Sequence, residues 1–200
     1  KYHDRSEIEP YCYSNTSTRD PLTAEFEQVS QFRDIVGLSD DEVAHLIRQD
    51  AIDVLVDLSG HSAGSRLSVF ALRPAPLQIS WLGYFATTGL PAMDAVLLDP
   101  GYAFSGLAQQ FSESIVDLPR TRFCFQPIPG TPAPNPFPPS CSKGYITFGC
   151  FNNTAKLNPE VLSLWAGILL RVPDSRLLLK WRTFADQDLK AYIARHFIDK

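Results

Sequence analysis

The sequence has no run of about 18 apolar residues, so no span of a membrane is expected. It has no CxxC pair. Its four cysteines, Cys12, Cys124, Cys141 and Cys150, are widely separated. They read as reduced, mostly buried thiols of a cytoplasmic protein, not as a disulfide or zinc framework. His3, His45 and His196 fall in charged contexts and form no metal spacing, so no metal is expected. Basic charge is not in excess: the formal net charge is -4, and no global basic field points to nucleic acid. Neither the P-loop nor the GxGxxG fingerprint occurs, which leaves ordinary NTPase or dinucleotide binding unsupported. There is no initiator Met, and the opening "KYHDRSEIEP" resembles no signal peptide. The last residues fall in or just after a helical pattern, and both ends read as cuts through a longer protein.

What is present is a globular composition: 200 residues, 44% hydrophobic and 20% charged, enough for one sizeable core or two small ones. Strand and helix signals alternate. "EPYCYS" reads as a strand. "SDDEVAHLIRQD" reads as a helix with Ser39 as N-cap, Glu42 closing a capping box, and Val43, Leu46 and Ile47 as its apolar stripe. "AIDVLVDLSG" is a near-continuous apolar run, as expected for a strand buried on both faces of a parallel sheet. "SRLSVFALRP" is a short helix stopped by Pro74, and "LQISWLG" and "DAVLLDP" are two more strands. From Pro127 to Pro139, seven of thirteen residues are proline, which makes a stiff linker or surface loop. Beyond it lie a strand "YITFGCF", a helix "PEVLSLWAGILLRV", a strand "SRLLLKW" and a helix "ADQDLKAYIARHF", with one βαβ unit among them.

In such α/β sheets ligands bind beyond the carboxyl ends of strands, which directs attention to three loops. In "FNNTAKLNP", Asn158 fits a helix N-cap and Pro159 the first helical position. Lys156 brings a positive charge near that helix start, and Asn152 and Asn153 bring amide donors. The set suits a phosphate or diphosphate, but Asn, Thr and Pro are also common cap and turn residues, and a lysine beside them is usually solvated. In "WLGYFATTGLP", Gly83 and Gly89 permit close backbone approach. Tyr84 and Phe85 offer an apolar wall, and Thr87 and Thr88 offer hydroxyls. The bland alternative is a glycine-bounded connection with aromatics packed inward. In "DLSGHSAGSR", His61 is either a general base or a side chain that caps the next helix or bonds a backbone carbonyl, and no partner is identifiable from sequence. Arg73, in the stiff "RPAP", reads as fixing the chain path.

These loops, in this order, carry a resemblance. "FALRPAPLQISWLGYFATTGLPAMD" is similar to the signature "ALRPAPxQxxWLGYPGTxGxxxMD" of the family 41 glycosyltransferases, the O-linked N-acetylglucosamine transferases. "FGCFNNTAKLNPEVLSLWAGILLRVPDSRLLLK" resembles the first part of their donor-binding lobe. The match runs from about Glu9 to about Lys190. The resemblance implies an α/β fold of the GT-B type: two Rossmann-like lobes, both incomplete here, with a nucleotide sugar in the cleft between them. Residues 1–126 would be the C-terminal part of the N-lobe, 127–143 the proline-rich linker, and 144–200 the first part of the donor-binding C-lobe.

It further implies transfer of GlcNAc from UDP-GlcNAc to Ser or Thr hydroxyls of a polypeptide acceptor, with no cofactor. The parent protein would carry tetratricopeptide repeats, which this chain lacks. The family's lysine falls on Lys156, the polar residue three positions earlier on Asn153, and the donor-approaching "WLGY" residues on Leu82, Gly83 and Tyr84. His61 and Thr87 are further candidates for the cleft. Two departures stand out. Phe85 and Ala86 replace the usual Pro-Gly, and the family's N-lobe "HP" and C-lobe "HTT" segments are absent from this sequence. "TTGLP", "FNNTAK" and "RLLLK" are similar also to Spindly-type members that use GDP-fucose. Two other readings therefore stay open: a protein O-fucosyltransferase, or a non-catalytic GT-B module. The chain by itself is expected to lack transfer activity.

Overall fold

A computed structural model describes residues 3–100, 102, 106–128 and 130–198. By contacts the chain divides into two units, residues 1–127 and 128–200. The first begins with β1 (Tyr11–Ser14), α1 (Pro21–Val29) and β2 (Gln31–Asp34), then α2 (Asp40–Gln49), β3 (Val54–Asp57) and α3 (Leu67–Ala71). It ends with β4 (Leu77–Ser80), β5 (Ala95–Leu98) and β6 (Ser114–Asp117). Strands β1 and β2 pair in parallel, and β3-β4-β5-β6 form a four-stranded sheet in which every neighbouring pair is parallel. Strand order equal to chain order is what successive crossovers of the same hand produce.

The core of this unit follows from the pattern of α2. Ser39 and Glu42 form the capping box, and Val43, Ala44 and Ile47 are buried. They pack with Ile35, Leu55, Leu67, Val69, Phe70 and Met93. Ser39→Ala removes the acceptor for the Glu42 N–H and is expected to lower stability by about 1 kcal/mol, measured by urea denaturation. Asp50, which caps the far end of α2, accepts from Arg33 at 2.8 and 3.1 Å and from the Tyr13 hydroxyl at 2.8 Å. The Arg33 hydrogen bonds hold its carboxyl below the usual 3.8, against the opposing effect of burial. Burial, then the bond to Asp50, pushes the Tyr13 hydroxyl well above its ordinary value. A carboxyl that titrates lower folded than unfolded stabilises above its unfolded value and loses that contribution as pH falls through the folded one. Asp50→Asn is therefore expected to destabilise the protein at neutral pH, with the gap from wild type narrowing below pH 3.8 in pH-dependent unfolding.

Two sequence expectations are corrected. Strand β3 is not buried on both faces: Leu55 and Asp57 are buried, whereas Val54 and Val56 are 46% and 40% exposed. It is the end strand of its sheet, and the α2–α3 cluster takes up only the face that Leu55 points to. Nor are the cysteines mostly buried. Cys124 and Cys141 are exposed, because one lies in irregular chain after β6 and the other in a single helical turn with no buried residue. Cys12 and Cys150 are half-buried, and burial raises the Cys12 thiol pKa. Of the elements of this unit, α1, β2 and β6 escape the sequence pattern.

The second unit holds the one-turn α4 (Ser140–Lys143), β7 (Thr147–Cys150), α5 (Pro159–Arg171), β8 (Arg176–Leu179) and α6 (Gln187–Ile198). Strands β7 and β8 pair in parallel across α5, the expected βαβ unit. Leu162 and Ala166 of α5 and Ile193 of α6 are buried. α4 falls in residues 127–143, where the proline content predicts no regular structure. Gly144, at φ 74°, closes it in the left-handed conformation that glycine adopts freely.

Candidate functional site

In the first unit the chemistry gathers at the carboxyl ends of β3 and β4. Asp57, buried at the end of β3, turns its carboxylate back to accept from Ser59 N–H at 3.1 Å and Gly60 N–H at 2.8 Å. This fixes the path of Leu58–Gly60. The chain leaving β4 comes against it. Trp81 N–H continues the ladder to the Asp57 carbonyl at 2.9 Å. Gly83 N–H then donates to the Trp81 carbonyl at 2.9 Å, closing a three-residue turn around Leu82, whose φ is 67°. A positive φ at a leucine in such a turn is a strained conformation, of the sort found at functional sites. Gly83 lies so close to β3 that a Cβ there would be 1.9 Å from the Leu58 carbonyl oxygen. A Cβ on Gly60 would collide in the same way with the Tyr84 side chain. Both glycines are therefore demanded by the approach of two loops.

His61 is exposed, with Nε2 2.8 Å from the Thr88 carbonyl and its ring edge-on to Tyr84 at 5.4 Å. A carbonyl only accepts, so Nε2 carries the proton. The backbone bond that competes with the general-base reading is the one made. No carboxylate partners His61 among the described residues. Beside it lies a shallow hollow of about 510 Å³ lined by His61, Ser62, Ser65, Leu67, Ser68 and Leu90. Thr87 and Thr88 are held by Glu113, the residue preceding β6, which is 6% exposed. Burial alone would raise that carboxyl's pKa. Donation by the Thr88 and Thr87 hydroxyls and the Thr88 N–H outweighs it, and the net shift is downward.

Phe85, one of the two departures from the family signature, is half exposed. Its ring lies 4.7 Å from the guanidinium carbon of Arg122, which also meets the Phe123 ring at 4.8 Å and pairs with Asp99 at 3.5 Å. Arg73 does fix the chain path: it donates to the carbonyls of Ala92 and Pro76 and to Asp94.

In the second unit Asn153 and Lys156 come together in a single 3-10 turn, Thr154–Lys156, just after β7. Asn153 Oδ1 accepts from Ala155 N–H at 3.1 Å, and its amide N–H groups make no hydrogen bond with the described residues. Asn152 donates to Cys150 Sγ at 3.7 Å. Asn158 caps α5 as the sequence suggests, accepting from Val161 N–H at 2.9 Å. Because that N–H is taken and Pro159 has none, the Glu160 N–H is the one of these three left for a ligand. Lys156 is exposed, and its ammonium makes no hydrogen bond or ion pair with the described residues. The most accessible positive charge of this loop is thus uncommitted.

The sequence pattern does not single out Asp57, Gly60, Glu113 or Arg122. A strand ending in Asp followed by Ser-Gly is a legible turn signal for the first two. "FSESIVD" looks like a polar surface run, and nothing in it marks Glu113 as buried. Among the described residues no group of three His, Cys, Asp or Glu side chains is placed to hold a metal ion, and no helix is long and apolar enough to cross a membrane.

Parallel strands joined through helices, with turns and polar groups collected at strand carboxyl ends, define an α/β protein, here of the GT-B type. The chain belongs to glycosyl transferase family 41, whose family model matches residues 1–126. It is 39% identical over 196 residues to the "Probable UDP-N-acetylglucosamine--peptide N-acetylglucosaminyltransferase SPINDLY" of Hordeum vulgare, covering 94% of this chain and 20% of that protein. It is 33% identical to the Arabidopsis thaliana protein of the same enzyme name called SEC, covering 96% of this chain and 21% of that one. Among solved structures it is similar to a lysine-to-methionine mutant of the Thermobaculum terrenum O-GlcNAc transferase. There the TM-score is 0.91 and the identity 39%, over 98% of this chain and 37% of that one. The chain therefore spans about a fifth of the length of these curated relatives.

Proposed function

We propose that this chain is part of a protein O-glycosyltransferase that moves N-acetylglucosamine from UDP-GlcNAc to Ser or Thr hydroxyls of polypeptides. The names of its relatives support the donor and acceptor. The observation that carries the chemistry is the uncommitted Lys156 ammonium beside the capped start of α5. In this reaction the bond from the anomeric carbon to the diphosphate oxygen breaks. A bond from the acceptor hydroxyl oxygen forms, and the hydroxyl proton leaves. Negative charge grows on the departing diphosphate, so a fixed cation at those oxygens stabilises the transition state more than the ground state. Lys156 takes that role, with the Asn153 amide and the Glu160 N–H as donors. Leu82, Gly83 and Tyr84 are assigned to the donor on the family resemblance, which the strained turn at Leu82 supports. His61 and Thr87 shape the same loop. The reaction needs no metal or cofactor, and free cysteines suit a cytoplasmic location.

The test is nucleotide release and peptide labelling by the full-length protein with UDP-GlcNAc and with GDP-fucose in parallel. UDP release coupled to labelling of Ser or Thr supports the proposal. Turnover of GDP-fucose alone reassigns the donor. A folded protein inert with both is a non-catalytic module.

A further inference from the structure

Glu113 is a buried carboxylate with no cation paired to it among the described residues. Such a group is costly unless hydrogen bonds satisfy it. Its donors come from two consecutive residues of one loop. The Thr87 hydroxyl donates to Oε2 at 2.7 Å, Thr88 N–H donates to Oε1 at 2.6 Å, and the Thr88 hydroxyl donates to Oε1 as well. Thr88 is itself 4% exposed. Its carbonyl in turn receives Nε2–H of His61, and the His61 ring lies edge-on to Tyr84. A continuous line of contacts thus runs from a carboxylate anchored at the start of β6 to the exposed His61 and the half-buried Tyr84 beyond β3 and β4. An ionised carboxylate only accepts, so this geometry has one polarity and cannot reverse.

We propose that Glu113 is a positioning residue: by gripping Thr87 and Thr88 it sets the Leu82–Thr88 loop and the orientation of His61 for the nucleotide sugar. This rests on the reading of that loop as part of the donor site. It assigns no contact between Glu113 and the donor.

The test uses Glu113→Gln, which keeps the volume but removes the charge and replaces one acceptor oxygen with an NH2 group. Thr88→Val removes the hydroxyl, and Thr88→Ser restores it. Two readouts are taken on each protein with folding confirmed by circular dichroism. One is hydrogen exchange at His61 Nε2–H in nitrogen-15 histidine-labelled protein, expected to be slowed in wild type by the bond to the Thr88 carbonyl. The other is KM and kcat for UDP-GlcNAc. Glu113→Gln and Thr88→Val are expected to lose the protected His61 proton and to raise KM about tenfold with kcat within about threefold, whereas Thr88→Ser behaves as wild type. A His61 proton still protected in Glu113→Gln overturns the positioning role, whatever the enzyme's donor. Loss of that proton with an unchanged KM overturns the link from loop to donor. A wild type inert toward nucleotide sugars defeats the donor reading, and the His61 measurement then decides the structural half by itself.

Discussion

Gly83→Ala is expected to destabilise the first unit by about 3 kcal/mol or more. The reason is space, since Gly83 is not at positive φ. An added Cβ would lie 1.9 Å from the Leu58 carbonyl oxygen and 3.0 Å from its carbon. Those are backbone atoms, with no flexible end to swing aside. Nor is that backbone free to retreat, because the carboxylate of Asp57 holds the N–H groups of Ser59 and Gly60 immediately after it. On the other side, Trp81 is tied to β3 by its N–H and to the Arg122 carbonyl by its indole at 3.0 Å. The strain must break one of these attachments. Gly149→Ala is the matched control: a Cβ added there would meet no atom within 4 Å, and the residue sits in extended chain in β7. Denaturant titration of both variants measures the difference. Equal midpoints for Gly83→Ala and wild type would show that the two loops are not packed as described.

How much of the fold is legible in the sequence depends on what each segment reveals by pattern. Helix α2 is readable in its bounds and caps, because a capping box and an apolar stripe point to the same element, although Ala44 is buried where the stripe names Leu46, which is only partly buried. Strand β3 is readable as a strand but not in its burial: an unbroken apolar run does not say how many faces its neighbours cover. Strands β2 and β6 are not readable. Each is four residues long, with three polar residues in β2 and two in β6, and pairing with a neighbour rather than propensity makes them strands. Helix α1 carries a cap that sequence can show, Asp20 before Pro21, but it buries none of its side chains and so has no core stripe to find. The site divides in the same way. Lys156, Asn153 and Asn158 are local in sequence, and one short motif presents them together. Glu113 joins Thr88 across 25 residues, and no local pattern announces such a contact.

Lys156→Ala is expected to cut turnover of the full-length enzyme by about 10²-fold or more while leaving the unfolding midpoint unchanged. The two halves of this prediction have one cause. The ammonium is exposed and has no partner among the described residues, so the folded protein gains nothing from it. An exposed charge in water is also heavily screened and would stabilise a developing anion only weakly. A large kinetic effect therefore requires that the bound donor displace water around Lys156 as its diphosphate departs. Asn158→Ala supplies the contrast. It removes the hydrogen bond to Val161 N–H and should lower stability by about 1 kcal/mol, yet reduce turnover less than loss of the lysine. The kcat and unfolding midpoint of the two variants, measured side by side, separate a residue held for the helix from one held for the reaction. If Lys156→Ala loses stability and keeps its turnover, the ammonium belongs to the fold, and the diphosphate must be neutralised by another group.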